Sequence, residues 1–209
     1  MLSYKTDQEE FWTGSFGNSY VNRNSDMAIA DAYEALYRKI FARIDPFGSL
    51  LELGANVGMN IRSLRRIYPD ASFSCVEINA KAVEKLRLIP DLEIYHQSIL
   101  DFTPSRRWEM VLIKTVLIHI NPEFLNVVYD VLYRSSSRYI CLAEYYNTTP
   151  VEVPYRGHSE KLFKRDFAGE MLDRHPDLRL LDYGFIYTRD TAVPIRDDLT
   201  WFIMEKRGA

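Results

Sequence analysis

Apolar positions along this chain follow two periods, and the switches between them mark out its elements. Met27, Ala30, Tyr33, Leu36, Tyr37, Ile40 and Ile44 recur at helical spacing and stop at Pro46, with Ser25 or Asp26 placed to cap the start. Leu50, Leu51 and Leu53 then fill a short strand that runs into a glycine-containing turn. A helical stripe of Ile61, Leu64 and Ile67 follows and ends at Pro69. Arg62, Arg65 and Arg66 form the opposite, solvated face of that helix. Phe73 to Ile78 reads as a second strand, Val83 and Leu86 as a short helix, and Leu92 to Gln97 as a third strand. Glu109 to Val116 is a buried fourth strand ending near Lys114, and Asn121-Pro122 supplies a cap and a first-turn proline for another helix. Tyr139 to Tyr146 is a fifth strand, and Asp166 can cap a helix through Phe167, Met171 and Leu172. Leu178 to Tyr187 and Leu199 to Lys206 close the chain as two strands. This alternation predicts an α/β domain built on βαβ units.

The candidate chemistry gathers at the first strand-to-helix turn, Ser49 to Asn60, SLLELGANVGMN. Gly54 and Gly58 let the backbone bend tightly and approach a ligand. The second strand ends on Glu77, where a carboxylate can accept hydrogen bonds from both hydroxyls of a ribose. A dinucleotide fingerprint needs glycines at offsets zero, two and five, and this chain has Gly54, Asn56 and Met59 there. The Asn56 side chain and the bulk of Met59 obstruct a pyrophosphate, so a ligand with ribose and no phosphate fits better. The run ELGANVG resembles the first motif of the class I methyltransferases, E/D-x-G-x-G-x-G, with Asn56 in place of the middle glycine, Glu52 as its leading acid and Glu77 as its ribose acid.

That resemblance implies a Rossmann-like, seven-stranded, mostly parallel sheet with helices on both faces and an antiparallel final strand, plus an N-terminal helical arm. It implies S-adenosylmethionine as cofactor and S-adenosylhomocysteine as product. The residues it assigns to the cofactor are Glu52, Gly54, Ala55, Asn56, Gly58, Asn60, Glu77, Ile78, Ser98, Ile99 and Lys114. Arg23 joins them, for the methionine carboxylate or an acidic substrate group. An NAD-linked oxidoreductase is disfavoured by Asn56 and Met59, and a non-catalytic module that keeps the cofactor site is the other alternative.

Two flanking stretches complete the candidate site. The arm Glu10 to Asn24 carries Phe11, Trp12, Phe16, Tyr20, Arg23 and Asn24, an aromatic density unlike that of a disordered tail. The connection Glu144 to Arg165 combines Tyr145, Tyr146, Tyr155, Arg156, His158, Lys161, Lys164 and Arg165, and it should overhang the carboxyl ends of the strands, where open α/β sheets bind ligands. Such basic and aromatic content suits an anionic, hydroxyl-rich substrate. With VLIKTVLIHINP and VPYRGHSEKLFKRDFAGEML, these segments resemble the methylases associated with pseudaminic acid biosynthesis. The implied substrate is a sugar or sugar nucleotide of a bacterial surface-glycan pathway, contacted by Tyr20, Asn24, Tyr145, Tyr155, Arg156 and Lys164. His119 and His158 are the candidate bases, since imidazole takes up a proton near neutral pH. The arm is expected to fold over the cofactor loop and meet Tyr155 to Lys164 above the methyl group.

Composition narrows this reading without redirecting it. A chain of 209 residues, 47% hydrophobic and 26% charged, has room for one sizeable core, so residues 1–209 read as one domain. Within it, 1–45 form a cap and 49–209 a core with a lid at 145–165. A net charge of −3 gives no electrostatic footprint for nucleic acid. No leader and no span-length apolar segment is evident, which predicts a cytoplasmic protein acting on a small molecule, away from membranes. Cys75 and Cys141 fall on separated strands, about 14 Å apart if two strands lie between them, and read as buried free thiols. The four histidines and two cysteines show no metal-ligand spacing.

Overall fold

The computed structural model describes residues 4–23 and 30–208. The Asn24 contact and the helix cap at Ser25 or Asp26 therefore lie outside the described residues. The arm consists of two short helices, α1 (Asp7–Thr13) and α2 (Ser15–Arg23). Thr6 caps α1 in a reciprocal box with Glu9. The amphipathic stripe before the cofactor loop is α3 (Ala30–Ile40).

The core then alternates strand and helix: β1 (Ser49–Leu53), α4 (Met59–Ile67), β2 (Ser72–Glu77), α5 (Ala80–Leu86), β3 (Leu92–His96) and β4 (Trp108–Lys114). It continues through α6 (Leu125–Ser135), β5 (Ser136–Glu144), a short ribbon of β6 (Val151–Glu152) and β7 (Phe163–Lys164), then α7 (Phe167–Arg174), β8 (Leu178–Ile186) and β9 (Leu199–Lys206). Seven strands form one sheet in the order β3-β2-β1-β4-β5-β9-β8. β1 to β5 are mutually parallel, and β9 runs antiparallel to both β5 and β8. This is the βαβ alternation that the sequence pattern predicts, in the mostly parallel, Rossmann-like sheet with an antiparallel final strand that the resemblance implies.

The central strands β1, β2, β4 and β5 are buried along most of their length, so their alternate residues feed two cores. Leu50, Cys75, Leu112 and Cys141 pack with Leu36, Tyr37, Ile61 and Leu64 of α3 and α4. Leu51, Val76, Ile113 and Leu142 pack with Val128, Leu132, Phe167 and Met171 of α6 and α7. Cys75 on β2 and Cys141 on β5 have β1 and β4 between them, and both are buried free thiols whose burial raises their pKa.

Element ends shift by a few residues from the sequence reading, as where a 3₁₀ turn at Pro122–Phe124 precedes α6, and two differences bear on the site. β5 ends at Glu144, which leaves Tyr145 and Tyr146 beyond the strand. The polar connection after it is no plain loop: Val151 and Glu152 pair with Lys164 and Phe163. Within it, Tyr155 and His158 exchange both backbone hydrogen bonds, at 2.8 and 3.0 Å. The turn between them has positive φ at Arg156 (50°) and Gly157 (87°), as two-residue hairpin turns require.

Candidate active site

The turn after β1 folds as its residue types dictate. Gly54 (φ 77°) and Gly58 (φ 79°) are left-handed, and a Cβ on them would come within 2.6 Å of Val116 Cγ2 and of Ile89 Cδ1 respectively. Asn56 also takes the left-handed region, at φ 49°, which asparagine tolerates. That bend turns the Asn56 backbone N–H to Glu77 Oε2 at 2.7 Å, while Asn79 N–H binds Glu77 Oε1 at 2.7 Å. Burial raises the Glu77 pKa, and the backbone N–H groups of Asn79 and Asn56 oppose that rise. The carboxylate at the end of β2 is thus fixed in place before any ligand arrives.

A second polar cluster sits behind the loop. Asn60 donates to Glu52 Oε1 at 2.5 Å, yet Glu52 Oε2, Asn60 Oδ1 and Asn56 Oδ1 are buried without a partner. Burial pushes the Glu52 carboxyl up to about 8, against the pull of the Asn60 bond and the Lys114 ammonium. Lys114 Nζ, at the end of β4, lies 4.6 Å from the Tyr33 ring centroid and 3.5 Å from its hydroxyl.

These groups border a cavity of about 220 Å³ across the carboxyl ends of the parallel strands. Of the predicted cofactor residues, Gly54, Ala55, Asn56, Asn60, Glu77, Ile78, Ser98, Ile99 and Lys114 line it. Glu52 reaches it only through Asn60, and Gly58 supports the loop from beneath. Ser98 is already engaged: its hydroxyl donates to the carboxylate of Glu9 and accepts from Leu100 N–H at 3.0 Å.

The arm closes one side of the cavity. Asn79 Nδ2 donates to Trp12 O at 2.8 Å and to Asn18 Oδ1 at 3.2 Å. Gln8 Nε2 donates to Glu160 O at 2.9 Å. Gly17 allows this docking, since a Cβ there would stand 1.8 Å from Trp12 O and 3.1 Å from Asn79 Nδ2. The rings of Phe11 and Phe16 stack at 4.1 Å and abut His158 at 5.0 and 5.5 Å. Trp12 packs on His119 at 4.7 Å, and His119 on Tyr155 at 4.8 Å.

His119 is buried in a 3₁₀ turn after β4 and lines the cavity. Its Nδ1 lies 2.5 Å from Lys161 O, so Nδ1 carries the proton and donates. Nε2 makes no hydrogen bond among the described residues. Burial lowers the His119 pKa to about 4, so the ring is neutral at physiological pH. Glu144 braces the turn: Oε1 accepts from Val116 and Leu117 N–H, both at 3.0 Å. Burial pushes its pKa up to about 7.

The remaining predicted residues divide. Tyr20 lines the cavity and its burial raises its pKa. Arg23 is exposed, over the rings of Phe16 and Tyr20, and is not part of the cavity wall. His158 is exposed against the arm and does not reach the cavity, nor do Arg156 or Lys164. Tyr155 backs His119, and Tyr145 donates to Asp197 Oδ1 at 2.8 Å. Sequence reasoning missed Gln8, Glu9, Asn79, Thr115 and Asp197, all of which line the cavity. Asn79 and Glu9 had local signals, Asn79 as a helix cap two residues after Glu77 and Glu9 as the third helical residue of a Thr6-x-x-Glu9 capping box.

No protein-family model matches the chain, and comparison with curated proteins gives no match. Solved structures do match over nearly its whole length. DhpI in complex with S-adenosylhomocysteine is 14% identical, with TM-score 0.65 over 97% of this chain and 96% of that one. The 1,6-didemethyltoxoflavin-N1-methyltransferase of Burkholderia thailandensis is 12% identical, with TM-score 0.69 over 99% and 92%. Magnesium protoporphyrin IX methyltransferase of Synechocystis PCC 6803 is 12% identical, with TM-score 0.67 over 97% and 100%. The chain therefore has the Rossmann-like fold of S-adenosylmethionine-dependent methyltransferases.

Proposed function

We propose that the chain transfers a methyl group from S-adenosylmethionine to a small polar acceptor. The observation that carries this reading is Glu77, a buried carboxylate held by two backbone amides at the end of β2 and facing a cavity. The orphaned Asn56 Oδ1 and Asn60 Oδ1 fit the same ligand, as buried acceptors in want of donors, and the unpartnered Glu52 Oε2 can accept once the carboxyl ionises. S-adenosylmethionine supplies an electrophilic sulfonium methyl when bound. Glu77 accepts from the ribose hydroxyls, Asn60 and Glu52 favour the ammonium, and Lys114 favours the carboxylate of the methionine end. Ser98 and Ile99 border the adenine side. His119 offers Nε2 to an O–H or N–H of the acceptor and orients its lone pair, and the docked arm excludes water. In this reading residues 1–45 cap a core of 49–209 and 145–165 serve as its lid, all in one domain. The finer reading, a sugar or sugar nucleotide of surface-glycan synthesis, draws on the resemblance of the quoted segments.

Calorimetry tests the site. S-adenosylhomocysteine should bind, and Glu77→Ala should weaken it about 10- to 100-fold, the ~1.5–3 kcal/mol of hydrogen bonds to a charged group. NAD binding in its place would refute the reading. The titration should also release protons. Glu52 is mostly protonated below its pKa of about 8, and an arriving ammonium favours its ionised form. Release on the order of 0.5 proton at pH 7, and affinity rising with pH toward 8, is expected from linkage. Titrations in buffers of different ionisation enthalpy read this directly.

A further inference from the structure

We infer that the methyl acceptor is an amine, drawn in as an organic cation, in place of the anionic group that the basic residues of 155–165 suggest. This rests on the methyltransferase reading and concerns the end of the cavity away from the adenine side. The cavity spans the strand ends from Ser98, just after β3, to Asp197, just before β9. Five strand spacings separate those strands, about 24 Å. Glu9 and Ser98 bind one another at the first end, and Glu77, held by two backbone amides midway, serves the ribose in the proposed reading.

Asp197 stands at the far end, exposed, with Oδ1 accepting from Tyr145. The rings of Trp12, Tyr20 and Tyr33 and the imidazole of His119 line the same cavity. Trp12 and Tyr20 meet edge-on at 5.2 Å and form a continuous wall with His119. Aromatic faces with a nearby carboxylate favour a cation. Among the described lining residues Lys114 is the one Lys or Arg, and it lies at the centre of the sheet, where the methionine carboxylate uses it. The basic side chains that should have selected an anion are spent elsewhere: Lys161 over Phe11, Lys164 over Tyr145, and Arg156 exposed over Tyr155.

The chemistry balances. Asp197 and the rings concentrate R–NH₃⁺ at the mouth. Beside the sulfonium charge the ammonium sheds its proton to water, because a like charge disfavours its charged form. One N–H of the free amine points to His119 Nε2, and the nitrogen lone pair bonds to the methyl carbon as the S–CH₃ bond breaks. The bonding pair stays on sulfur, which leaves a neutral thioether and R–NH₂CH₃⁺.

Benzylamine and benzoate, matched in ring and size, are suitable probes against protein saturated with S-adenosylhomocysteine at pH 7. Benzylamine should bind at least tenfold more tightly than benzoate by calorimetry. Asp197→Asn, which keeps an acceptor for Tyr145, should reduce that preference threefold or more and leave the S-adenosylhomocysteine Kd within twofold. Benzoate binding as tightly as benzylamine, no binding of benzylamine, or an unchanged preference in Asp197→Asn would overturn the amine assignment alone. Failure of S-adenosylhomocysteine to bind would instead remove the methyltransferase reading, and this inference with it.

Discussion

The two walls of the cavity are built in different ways. On the cofactor side the contacts are local: Asn56 to Glu77 spans 21 residues and Asn60 to Glu52 spans 8. On the arm side they are distant: Gln8 to Glu160 spans 152, Glu9 to Ser98 spans 89, and Trp12 to Asn79 spans 67. The first wall is backbone bent by glycines and locked by strand pairing. The second is a pair of short helices docked through a few side chains. A wall of the first kind loses its shape only with the fold, whereas one of the second kind can open while the sheet stays intact.

The sharpest way to break the comparison is through the cofactor loop. Gly54→Ala places a Cβ 2.6 Å from Val116 Cγ2 at a φ of 77°. Left-handed strain of about 1–2 kcal/mol and overpacking of about 1–3 kcal/mol should together lower stability by ~2–5 kcal/mol. For a chain of this size that is a fall in Tm of about 4–20 °C, readable by calorimetry. A variant as stable as the parent would show that the loop is not the rigid wall described.

Asn79→Ala acts on the other wall, because it removes the side-chain bonds to Trp12 O and Asn18 Oδ1 as well as the cap on Ala82 N–H. The lost cap costs about 1–2 kcal/mol globally. The larger consequence is local: amide exchange in α1 and α2 should speed up about tenfold or more beyond the change in β1. Equal acceleration in both would mean that the arm and the sheet unfold as one unit.

What could be read from the sequence follows the same division. The βαβ alternation and the placing of Glu77 opposite the glycine turn depend on short-range periodicity and spacing, whereas the sheet order that keeps Cys75 from Cys141 comes from the structure. Asp166 capping α7 was legible for the same reason, its side chain accepting from Gly169 N–H three residues on at 2.8 Å. The acceptor wall was not legible residue by residue. Arg156 and Lys164 looked like substrate contacts because they are cations in a connection beyond a strand, but a ribbon and a left-handed turn that no periodicity signals decide which way that connection faces. Asp197 carries no motif, the capping box of Glu9 speaks only of a helix start, and both reach the cavity only because folding brings them there. His119 was found by residue type, and its usable nitrogen became clear only from Lys161 O.

Arg23 gives the smallest expected effect and the finest test of the division. It ends α2, exposed, with its guanidinium 5.6 Å from the Phe16 centroid and 5.7 Å from that of Tyr20. Exposed cation–π contacts of this kind contribute about 0.5–1 kcal/mol, and they act here within the arm, on a side chain outside the cavity wall. Arg23→Ala should therefore change the S-adenosylmethionine Kd by less than about threefold, under ~0.7 kcal/mol. Under the proposed function the methionine carboxylate goes to Lys114, which lines the cavity from the end of β4 and not from the arm. A loss of tenfold or more would mean that α2 turns its last residue inward when the ligand binds, and that the docked arm holds the cofactor as firmly as the strand ends do.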